Sequence, residues 1–393
     1  MNPAHLKPFI AIACGGTGGH LFPGLAVAHQ LQARGCAVAL MVSPKHVDQQ
    51  AVKSVLGMDI FTLPAVGLQN RNYFSFAGNF WNSFRAARKI FQPRPPAAVL
   101  AMGGFTSAPP VFAAKISGAR TFLHESNTVP GRANRLLARF VDAAFIGFPE
   151  TAARLRAKRT SITGTPVRPQ FCLGARTDQP AAACRAALGL DPNLPTILVV
   201  GGSQGARGLN DLVLSALPLL KDRAWQWLHL TGANDFEKVR TAYAALGLKA
   251  AVKPFLAEME LALVAATVAV SRAGASSLAE MAAMRVPSLL VPLPTAADNH
   301  QLFNARAFVA SGAAGMLEQN SRPEKMAALL AGLVEDEAAR QKMQAALSPW
   351  HAPEAAANIA EHILSALGNE FACARKSGGK TALPGEMHFK ALA

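Results

Sequence analysis

Short apolar runs alternate with longer segments of mixed polarity along most of the chain. In the first half the runs are FIAIAC, VALMVS, AAVLAM, RTFLHE and AAFIGF, and in the second half they are TILVVGG, QWLHLTG, AVKPFL, TVAVSRAG and PSLLVPL. Apolar runs of this length, separated by helical or loop segments, are typical of parallel strands whose two faces are covered. The pattern occurs twice, so it predicts two α/β domains of Rossmann-like type, with parallel sheets that face each other across a cleft.

The repeat of this pattern also predicts where the domains begin and end. A chain of 393 residues, 51% of them hydrophobic, is long enough to bury two cores. Residues 1–165 are predicted to form an N-terminal domain, 166–195 a linker with little periodicity, and 196–348 a C-terminal domain. Residues 349–370 are expected to form a helix that packs back toward the N-terminal domain, and 371–393 a flexible tail.

Cysteine usage and the longest apolar stretch exclude several classes of protein. The five cysteines are far apart and form no CxxC pair, so neither a disulfide framework nor a zinc site is indicated, and a reducing compartment is expected. The longest uncharged stretch lies between Arg94 and Lys115 and contains Gly-Gly and Pro-Pro pairs, which a membrane-spanning helix would not carry at its centre. The run FIAIAC is interpreted as a first core strand rather than a signal peptide, because it is short and ends in glycines.

The formal net charge of +15 indicates an anionic partner. No acidic residue occurs between Asp59 and Glu125, and the same segment contains the aromatic stretch RNYFSFAGNFWNSFRAARKIF, which predicts an amphipathic helix. Such a helix can lie in an anionic membrane surface, with aromatic residues toward the lipid and cations toward the headgroups. The predicted membrane face consists of Phe80, Trp81, Phe84, Arg85, Arg88 and Lys89.

A core helix with a solvated basic edge is the alternative interpretation of this segment. The absence of nearby acidic residues favours the membrane surface. The chain contains no recognised nucleic-acid module and no Lys/Arg-rich run, so nucleic acid is not expected as a partner.

Four glycines, a threonine and a histidine stand where the first strand meets the first helix, in GGTGGH at residues 15–20. Glycines at such a turn let backbone N–H groups approach an anion, and the dipole of the following helix favours negative charge there. The feature recurs as GGF at 103–105 and as GGSQGARGLN at 201–210. The sequence therefore predicts phosphate-binding turns on both sides of the cleft.

A dinucleotide site and a P-loop both fit these turns poorly. Neither GGTGGH nor GGSQGA follows G-x-G-x-x-G, and the second strand ends in VSPKH without an acid for a ribose hydroxyl. The P-loop pattern G-x-x-x-x-G-K-[ST] does not occur. No cofactor is expected, and no Asp-x-Asp pair is present to hold a divalent metal ion.

Six motifs occur in the order seen in the MurG family of bacterial glycosyltransferases, which the chain resembles from about Phe9 to Leu367. They are GGTGGH, HESNTVPGRANR at 124–135, TGTPVR at 163–168, GGSQGA at 201–206, SRAGASSLAE at 271–280 and DNHQLFNA at 298–305. The resemblance implies a GT-B fold and an inverting transfer of N-acetylglucosamine (GlcNAc). The donor would be UDP-GlcNAc, and the acceptor would be the 4-hydroxyl of the N-acetylmuramyl (MurNAc) residue in undecaprenyl-pyrophosphoryl-MurNAc-pentapeptide.

The resemblance also implies a cellular location and partners. The protein is expected to lie peripherally on the cytoplasmic face of the bacterial inner membrane, with cell-wall synthesis and division proteins as further partners.

On the donor side, Glu280 matches a glutamate that binds the nucleotide sugar in the family. The segment SSLAE also fits a capping box from Ser277 to Glu280 that opens the following helix, and the two roles are compatible. Arg168 is implied to offer fork-shaped donors to the diphosphate. The other implied contacts in these motifs are Ser203, Ala275, Ser276, Ser277, Leu278 and Ala279.

Three more donor contacts are implied. Leu256 matches a position that meets uracil through its backbone, so its side chain can belong to the core. Gln301 and Asn304 are spaced i, i+3 and can present two amides from one helical face to sugar hydroxyls. A solvated helix face is the alternative for either residue alone.

On the acceptor side, catalysis needs a base for the acceptor hydroxyl. His20 and Glu125 can both point into the cleft, and one of the pair is expected to be that base. Glu125 can instead orient His20 or Asn127. Departure of UDP is expected to be assisted by the second helix dipole, Ser203 and Arg168 rather than by a metal. The remaining implied substrate contacts are Thr17, Gly18, Gly19 and Asn127.

The chain departs from the family pattern at Thr165, Ser126 and Ala273, where Asn, Gln and Ser are usual. Two other functions compete with the one implied, and a third is disfavoured. A related GT-B enzyme that glycosylates diacylglycerol would need no pyrophosphate-binding turn, and an inactive nucleotide-sugar-binding protein of the division machinery would be expected to lose His20, Glu125 or Glu280. A nucleotide-sugar epimerase would give no reason for the aromatic face.

Overall fold

The first half of the chain folds into a seven-stranded parallel sheet. The computed structural model describes residues 7–16, 18–45, 48–49, 52, 57–64, 73–171, 180–202 and 205–368. The spatial order of the strands is β3-β2-β1-β4-β5-β6-β7, and every neighbouring pair is parallel. The strands are β1 (Phe9–Ala13), β2 (Ala37–Val42), β3 (Asp59–Thr62), β4 (Ala98–Ala101), β5 (Arg120–Glu125), β6 (Ala143–Ile146) and β7 (Thr160–Ile162).

Helices cover both faces of this sheet. They are α1 (Gly18–Ala33), α2 (Tyr73–Phe91), α3 (Ala108–Ile116) and α4 (Arg132–Leu137). Successive residues of a strand point to opposite faces. Accordingly, Ile10 and Ile12 of β1 pack with α1, while Phe9 and Ala11 pack on the side of α2 and α3. Burial on both faces explains why the central strands are continuous apolar runs.

The second half folds into a six-stranded parallel sheet of order β10-β9-β8-β11-β12-β13. Its strands are β8 (Thr196–Val200), β9 (Gln226–Leu230), β10 (Ala250–Lys253), β11 (Val268–Ser271), β12 (Ser288–Leu290) and β13 (Gly315–Met316). The helices of this half are α5 (Ala181–Ala187), α6 (Arg207–Ala216), α7 (Phe236–Ala245), α8 (Met259–Ala265), α9 (Ala275–Ala283), α10 (His300–Ala310), α11 (Pro323–Glu335) and α12 (Glu337–Leu347).

The predicted fold class is confirmed, because the two sheets are parallel and each is covered by helices. Each of the ten apolar runs overlaps a strand. Three short strands, β3, β7 and β13, were not predicted. Each lies at an outer edge of its sheet and has no buried residue, so no apolar run marks it.

The chain crosses between the domains twice. Residues 163–168 lead from the N-terminal sheet toward the second domain, and 351–354 lead back to a last helix, α13 (Ala355–Ala366). This helix joins the core of the N-terminal domain, where Ile359 and Ile363 lie in one cluster with Leu21 of α1.

The linker is shorter than the stretch predicted over 166–195. Phe171, Cys184 and Leu188 are buried in the core of the C-terminal domain, so the second half of that stretch belongs to this domain. Helix α5 was not predicted, because a helix of seven residues is too short to show a clear hydrophobic periodicity. Residues 172–179 and the predicted tail at 371–393 lie outside the described residues.

Helix α2 corrects part of the predicted membrane face. Phe84 is only 9% exposed and packs in the core beneath the sheet, so its assignment to the membrane face was wrong. Phe80 is half-buried against the same core. Trp81 is 55% exposed and Phe74 is 93% exposed, so these two residues carry the exposed aromatic surface. The sequence did not separate the buried face of α2 from its exposed face, because aromatic residues occur on both sides of the helix. None of the described helices has the length and apolar character needed to cross a membrane.

Candidate functional site

The candidate site lies where loops after the carboxyl ends of the two sheets meet. On the N-terminal side these loops follow β1, β4 and β5, and on the C-terminal side they follow β8, β11 and β12. Ser276 Oγ at the start of α9 donates to the carbonyl oxygen of Gly19 in the first glycine turn, at 3.1 Å. The carboxyl ends of parallel strands are the usual place for ligands in open α/β sheets.

His20 stands in the first turn of α1 and is held against the glycine turn after β4. Gly103 and Gly104 have φ of 122° and 77°, which favours glycine at both positions. A Cβ atom on Gly103 would lie 2.9 Å from His20 Nε2 and 3.3 Å from Asn134 Nδ2. The turn therefore needs glycine so that the imidazole ring and the Asn134 amide can lie beside it.

The environment of His20 favours its neutral form. Burial lowers the pKa of His20 below its ordinary value, and the negative charges of Glu125 and Asp48 oppose that shift only in part. The neighbouring Lys45 and His300 lower the pKa of His20 further. A neutral imidazole near pH 7 can accept a proton from an acceptor hydroxyl.

Glu125 lies at the end of β5 and is buried. Its Oε1 accepts hydrogen bonds from the backbone N–H and the side-chain amide of Asn127, both at 2.9 Å. Its Oε2 accepts from the N–H of Gly131 at 3.0 Å and from Asn134 Nδ2 at 2.8 Å. A carboxylate offers about four acceptor positions, and here all of them are used to hold the loop that follows β5.

The first glycine turn is held partly by a residue that the sequence did not mark. Asp48 Oδ2 accepts from the N–H of Gly16 at 2.6 Å and from the N–H of Ser43 at 3.2 Å. Lys45 Nζ donates to the carbonyl oxygen of Gly16 at 2.9 Å. One N–H group that the glycine pattern offered to a phosphate is therefore bonded to a carboxylate. Gly18 is buried and Gly19 is exposed, while Thr17 lies outside the described residues.

Helix α9 begins earlier than the capping-box interpretation predicted. Gly274 is its N-cap, with φ of −70° and ψ of 135° and no side-chain cap, so Ser277 lies inside the first turn and the capping box was wrong. The N–H of Leu278 makes the first intrahelical bond, to the carbonyl oxygen of Gly274. The N–H groups of Ala275, Ser276 and Ser277 thus form the free end of the helix, as the nucleotide-sugar prediction requires.

Two other predicted contacts on α9 differ in exposure. Leu278 is fully buried in the C-terminal core and its N–H is bonded, so its prediction as a ligand contact was wrong. Ala279 is half-buried on the same helix.

The second glycine turn follows β8 and leads into α6. Gly202 and Gly205 have φ of 99° and 76°, which glycine adopts readily. Gly205 packs directly on the backbone of Thr231, which leaves no space for a side chain. Ser203, the predicted phosphate contact in this turn, lies outside the described residues.

A buried hydrogen-bond chain supports α6 behind this turn. Asn210 Nδ2 donates to the carbonyl oxygen of Thr231 at 3.0 Å and to Asp235 Oδ2 at 2.8 Å. Because Asn210 Nδ2 donates to these two acceptors, Asn210 Oδ1 is the acceptor for His229 Nε2–H, at 3.1 Å. His229 Nδ1 then carries no proton and accepts from the Tyr243 hydroxyl at 3.1 Å. Burial lowers the pKa of His229 to about 3, and the ring is neutral.

Arg168 and Glu280 face each other at the crossing between the domains. The Arg168 guanidinium lies over the rings of Phe22 and Phe171, at 4.5 and 4.7 Å from the ring centroids, and its Nη2 is 3.9 Å from Glu280 Oε1. Arg168 Nε is buried without a hydrogen-bond partner among the described residues. Burial raises the pKa of Glu280 to about 7, although Arg168 opposes that shift. A diphosphate beside Arg168 would supply the missing acceptor.

Gln301 and Asn304 have different surroundings although both lie on α10. Gln301 is half-buried, and its Oε1 accepts from the N–H of Leu293 at 3.0 Å. Asn304 is fully buried and is bonded to the loop after β5 on one side and to Ala273 on the other. In this arrangement of the domains the Asn304 amide has no position left for a sugar hydroxyl.

Leu256 follows β10, and its half-buried side chain packs against the C-terminal core. Across the part of the chain that the structure describes, no group of three or more His, Cys, Asp or Glu side chains is arranged to hold a metal ion.

The fold and the site define the class of protein. Two Rossmann-like domains with glycine turns and a free helix end across one cleft are suited to a nucleotide-sugar transferase. Residues 10–146 match the glycosyltransferase family 28 N-terminal domain, and residues 196–363 match the glycosyltransferase family 28 C-terminal domain. The protein is therefore a glycosyltransferase, as the sequence predicted.

Individual relatives define the family more narrowly. A UDP-N-acetylglucosamine–N-acetylmuramyl-(pentapeptide) pyrophosphoryl-undecaprenol N-acetylglucosamine transferase of Pelobacter propionicus is 36% identical over 340 residues, covering 82% of this chain and 89% of its own. The crystal structure of Acinetobacter baumannii MurG superposes with a TM-score of 0.71 at 27% identity, covering 92% of this chain and all of its own. The chain belongs to the MurG family, which confirms the resemblance seen in the six motifs.

The crystal structure of a UDP-N-acetylglucosamine 2-epimerase has a similar fold, with a TM-score of 0.67 over 92% of this chain and 97% of its own, but 14% identity. That likeness is one of fold alone.

Proposed function

We propose that this protein transfers GlcNAc from UDP-GlcNAc to the MurNAc 4-hydroxyl of undecaprenyl-pyrophosphoryl-MurNAc-pentapeptide, with inversion at the anomeric carbon. The observation that carries the proposal is that loops from the two domains meet in one cleft and carry different chemical groups. His20 and the loop held by Glu125 stand on the N-terminal side, and the free end of α9 stands on the C-terminal side. The relatives that share both halves are named for this transfer.

His20 is the proposed base. A base must accept a proton from the acceptor hydroxyl as the hydroxyl oxygen attacks the anomeric carbon and the bond to UDP breaks. All four acceptor positions of the Glu125 carboxylate are already used by N–H groups. His20 is neutral and stands beside the glycine turn at the mouth of the cleft. Glu125 then organises the loop and adds a negative charge that stabilises the imidazolium formed in the reaction.

On the donor side, Arg168 is proposed to bind the diphosphate and Glu280 a sugar hydroxyl of the nucleotide. The two side chains approach each other at 3.9 Å, and the Arg168 Nε lacks a protein acceptor in the described structure. The free N–H groups at the start of α9 add positive potential where UDP leaves. Gln301 is proposed to contact a sugar hydroxyl through its Nε2 group, because only its Oε1 is bonded in the described structure.

A row of phenylalanine rings supports a lipid-linked acceptor. Phe105 follows the glycine turn beside His20, and its ring meets Phe76 of α2 edge-on at 5.3 Å. Phe76 meets Phe80 at 6.4 Å, Phe80 meets Phe112 of α3 at 6.2 Å, and Phe112 meets Phe140 at 5.4 Å. An apolar surface thus runs from the predicted base to the outer side of α2 and α3. We propose that this side is the membrane face.

The cations around this face agree with an anionic surface. Arg85, Arg88 and Lys89 are exposed on α2, and within the described part of the chain they form no ion pair. Uncompensated cations next to exposed aromatic residues are suited to anionic headgroups. The protein is proposed to bind the cytoplasmic face of the inner membrane peripherally, and proteins of cell-wall synthesis and division remain proposed partners.

The proposed reaction is tested by transfer of labelled GlcNAc from UDP-GlcNAc to a short-chain analogue of the lipid-linked MurNAc acceptor, in EDTA. Diacylglycerol serves as a parallel acceptor. We expect product from the MurNAc lipid alone. Product from diacylglycerol alone would assign the related lipid-glycosylating activity. Binding of UDP-GlcNAc without any transfer would leave a nucleotide-sugar-binding protein.

Replacing the exposed Trp81 is expected to weaken membrane binding. Trp81→Ser removes a large apolar side chain from the proposed interface, which corresponds to about 2 kcal/mol and so to roughly 30-fold weaker binding. The measurement is co-sedimentation with vesicles that contain phosphatidylglycerol, and higher salt should weaken the wild-type binding as well. Leu219→Ser is the matched control, because Leu219 is exposed on the other domain. Equal binding of wild type and Trp81→Ser would contradict the assignment of this face.

A further inference from the structure

Asn304 forms a hydrogen-bonded junction between the two domains. Its Oδ1 accepts from the backbone N–H and from the hydroxyl of Thr128, both at 3.0 Å. Its Nδ2 donates to Asn127 Oδ1 at 3.0 Å and to the carbonyl oxygen of Ala273 at 3.1 Å. Thr128 and Asn127 belong to the N-terminal domain, and Ala273 directly precedes the N-cap of α9 in the C-terminal domain.

The orientation of this amide is determined by the backbone. The Thr128 N–H can only donate, and the Ala273 carbonyl can only accept, so the oxygen and nitrogen of Asn304 cannot exchange places. Asn304 Nδ2 then requires the oxygen of Asn127. The other end of Asn127, its Nδ2, faces Glu125 Oε1 at 2.9 Å. A continuous chain of hydrogen bonds therefore joins the Glu125 carboxylate to the loop that opens α9.

Two further contacts from the same segment hold the same interface. Asp298, just before α10, bonds Arg132 at 3.1 Å and also pairs with Arg135 of α4. Phe303 lies under the guanidinium of Arg154, 5.1 Å from the ring centroid. Asp298 has φ of 50°, in the left-handed region, which costs free energy for a residue with a side chain. This strained backbone conformation occurs where the Asp298 carboxylate pairs with arginines of the other domain.

We propose that Asn304 is a positioning residue for the transfer rather than a sugar ligand. It fixes Asn127, and through it the Glu125-held loop beside His20, relative to the donor-binding end of α9. The base and the anomeric carbon can then be aligned only while this junction is closed. The inference rests on the proposed transfer reaction. It adds a residue that aligns the loop beside His20 with the donor-binding end of α9.

The test uses a change that preserves the shape of the side chain. In Asn304→Asp the introduced carboxyl still accepts from Thr128 but places oxygen against Asn127 Oδ1 and the Ala273 carbonyl. We expect kcat to fall about 100-fold, because small misplacements of reacting groups have effects of that size. The KM for UDP-GlcNAc should stay within about threefold of wild type, since the loss is one of alignment. Asn358→Asp, the same change at an exposed position of α13, is the matched control.

The pH profile separates positioning from a general loss of structure. When the introduced carboxyl takes up a proton it regains one donor, so the ratio of variant to wild-type kcat should rise as the pH falls. Thr128→Val removes only the hydroxyl donor and should give a smaller loss of kcat, which Thr128→Ser should restore. A KM for UDP-GlcNAc that rises with unchanged kcat would instead make Asn304 a sugar ligand, and unchanged kinetics in all variants would overturn the inference.

Small-angle scattering of the full chain tests the Asn304 junction independently of the proposed reaction. If wild type transfers no GlcNAc, the proposed function fails. The junction still predicts a wider distance distribution for Asn304→Asp than for wild type or Asn358→Asp. An unchanged distribution together with unchanged UDP binding would then contradict the junction itself.

Discussion

His20→Ala is expected to lower kcat by about 10²- to 10⁴-fold, the usual contribution of a positioned general base. The KM for UDP-GlcNAc should change little, because His20 belongs to the N-terminal domain, whereas the predicted donor contacts of α9 belong to the C-terminal domain. The base acts in its neutral form. Since burial lowers the pKa of His20, the wild-type rate should decline only at pH values below the ordinary histidine range. Steady-state kinetics over a pH series, with the lipid-linked MurNAc analogue, measures all three quantities.

His29→Ala is the matched control for this prediction. His29 is exposed on the same helix, α1, so its replacement should leave kcat and the pH profile unchanged. In His20→Ala the acidic decline should disappear, and added imidazole should restore part of the rate. A variant that keeps both the wild-type rate and the acidic decline would remove His20 as the base and return the role to Glu125.

The second large effect concerns the stability of the C-terminal domain in acid. His229 has a pKa of about 3 in the folded protein and an ordinary value of 6.5. Between these values the unfolded chain binds more protons, so the free energy of unfolding falls as the pH falls below 6.5. The full shift corresponds to about 5 kcal/mol, a large part of the stability of an ordinary domain. About 2 kcal/mol of this is expected to be lost between pH 7 and pH 5.

Urea unfolding followed by tryptophan fluorescence tests this expectation. Trp227 lies in the same domain, with its ring 5.8 Å from that of Tyr243, and reports unfolding there. His229→Gln keeps a donor for Asn210 but cannot take up a proton, so it should be less stable at pH 7 and lose less stability between pH 7 and pH 5. Tyr243→Phe is the control, because it removes one hydrogen bond and leaves the titration of His229 in place. Equal pH dependence in wild type and His229→Gln would exclude His229 as the source.

The fold could be predicted because the central strands are buried on both faces. Strand β1 is buried throughout, so its sequence FIAIA is apolar at every position. The edge strand β3, with sequence DIFT, has no fully buried residue and therefore carries no comparable signal. The amphipathic character of α2 was also visible, but the sequence could not show how far the core extends around the helix. Phe84 was therefore assigned to the exposed face although it is buried.

The site could be predicted only where its functional groups lie close together in the sequence. The glycine turn beside His20 and the free end of α9 each lie within a few consecutive residues. Asp48 bonds Gly16 from 32 positions away, and Asn304 reaches Thr128 across 176 positions. Such partners are brought together by the sheet order and by the docking of the domains. Spacing along the chain placed the Asn304 amide on a helix face but could not show that this face is covered by the other domain.

The return of α13 to the N-terminal domain limits how the cleft can open. One covalent connection between two rigid bodies leaves rotation about three axes, whereas two connections side by side resist every rotation that would lengthen either of them. Gly164 of the first crossing, with φ of 78°, packs directly against Ala352 of the second. The rotation that stretches neither segment is the one about the line that joins them. Any opening of the cleft is therefore expected to follow a single angular coordinate.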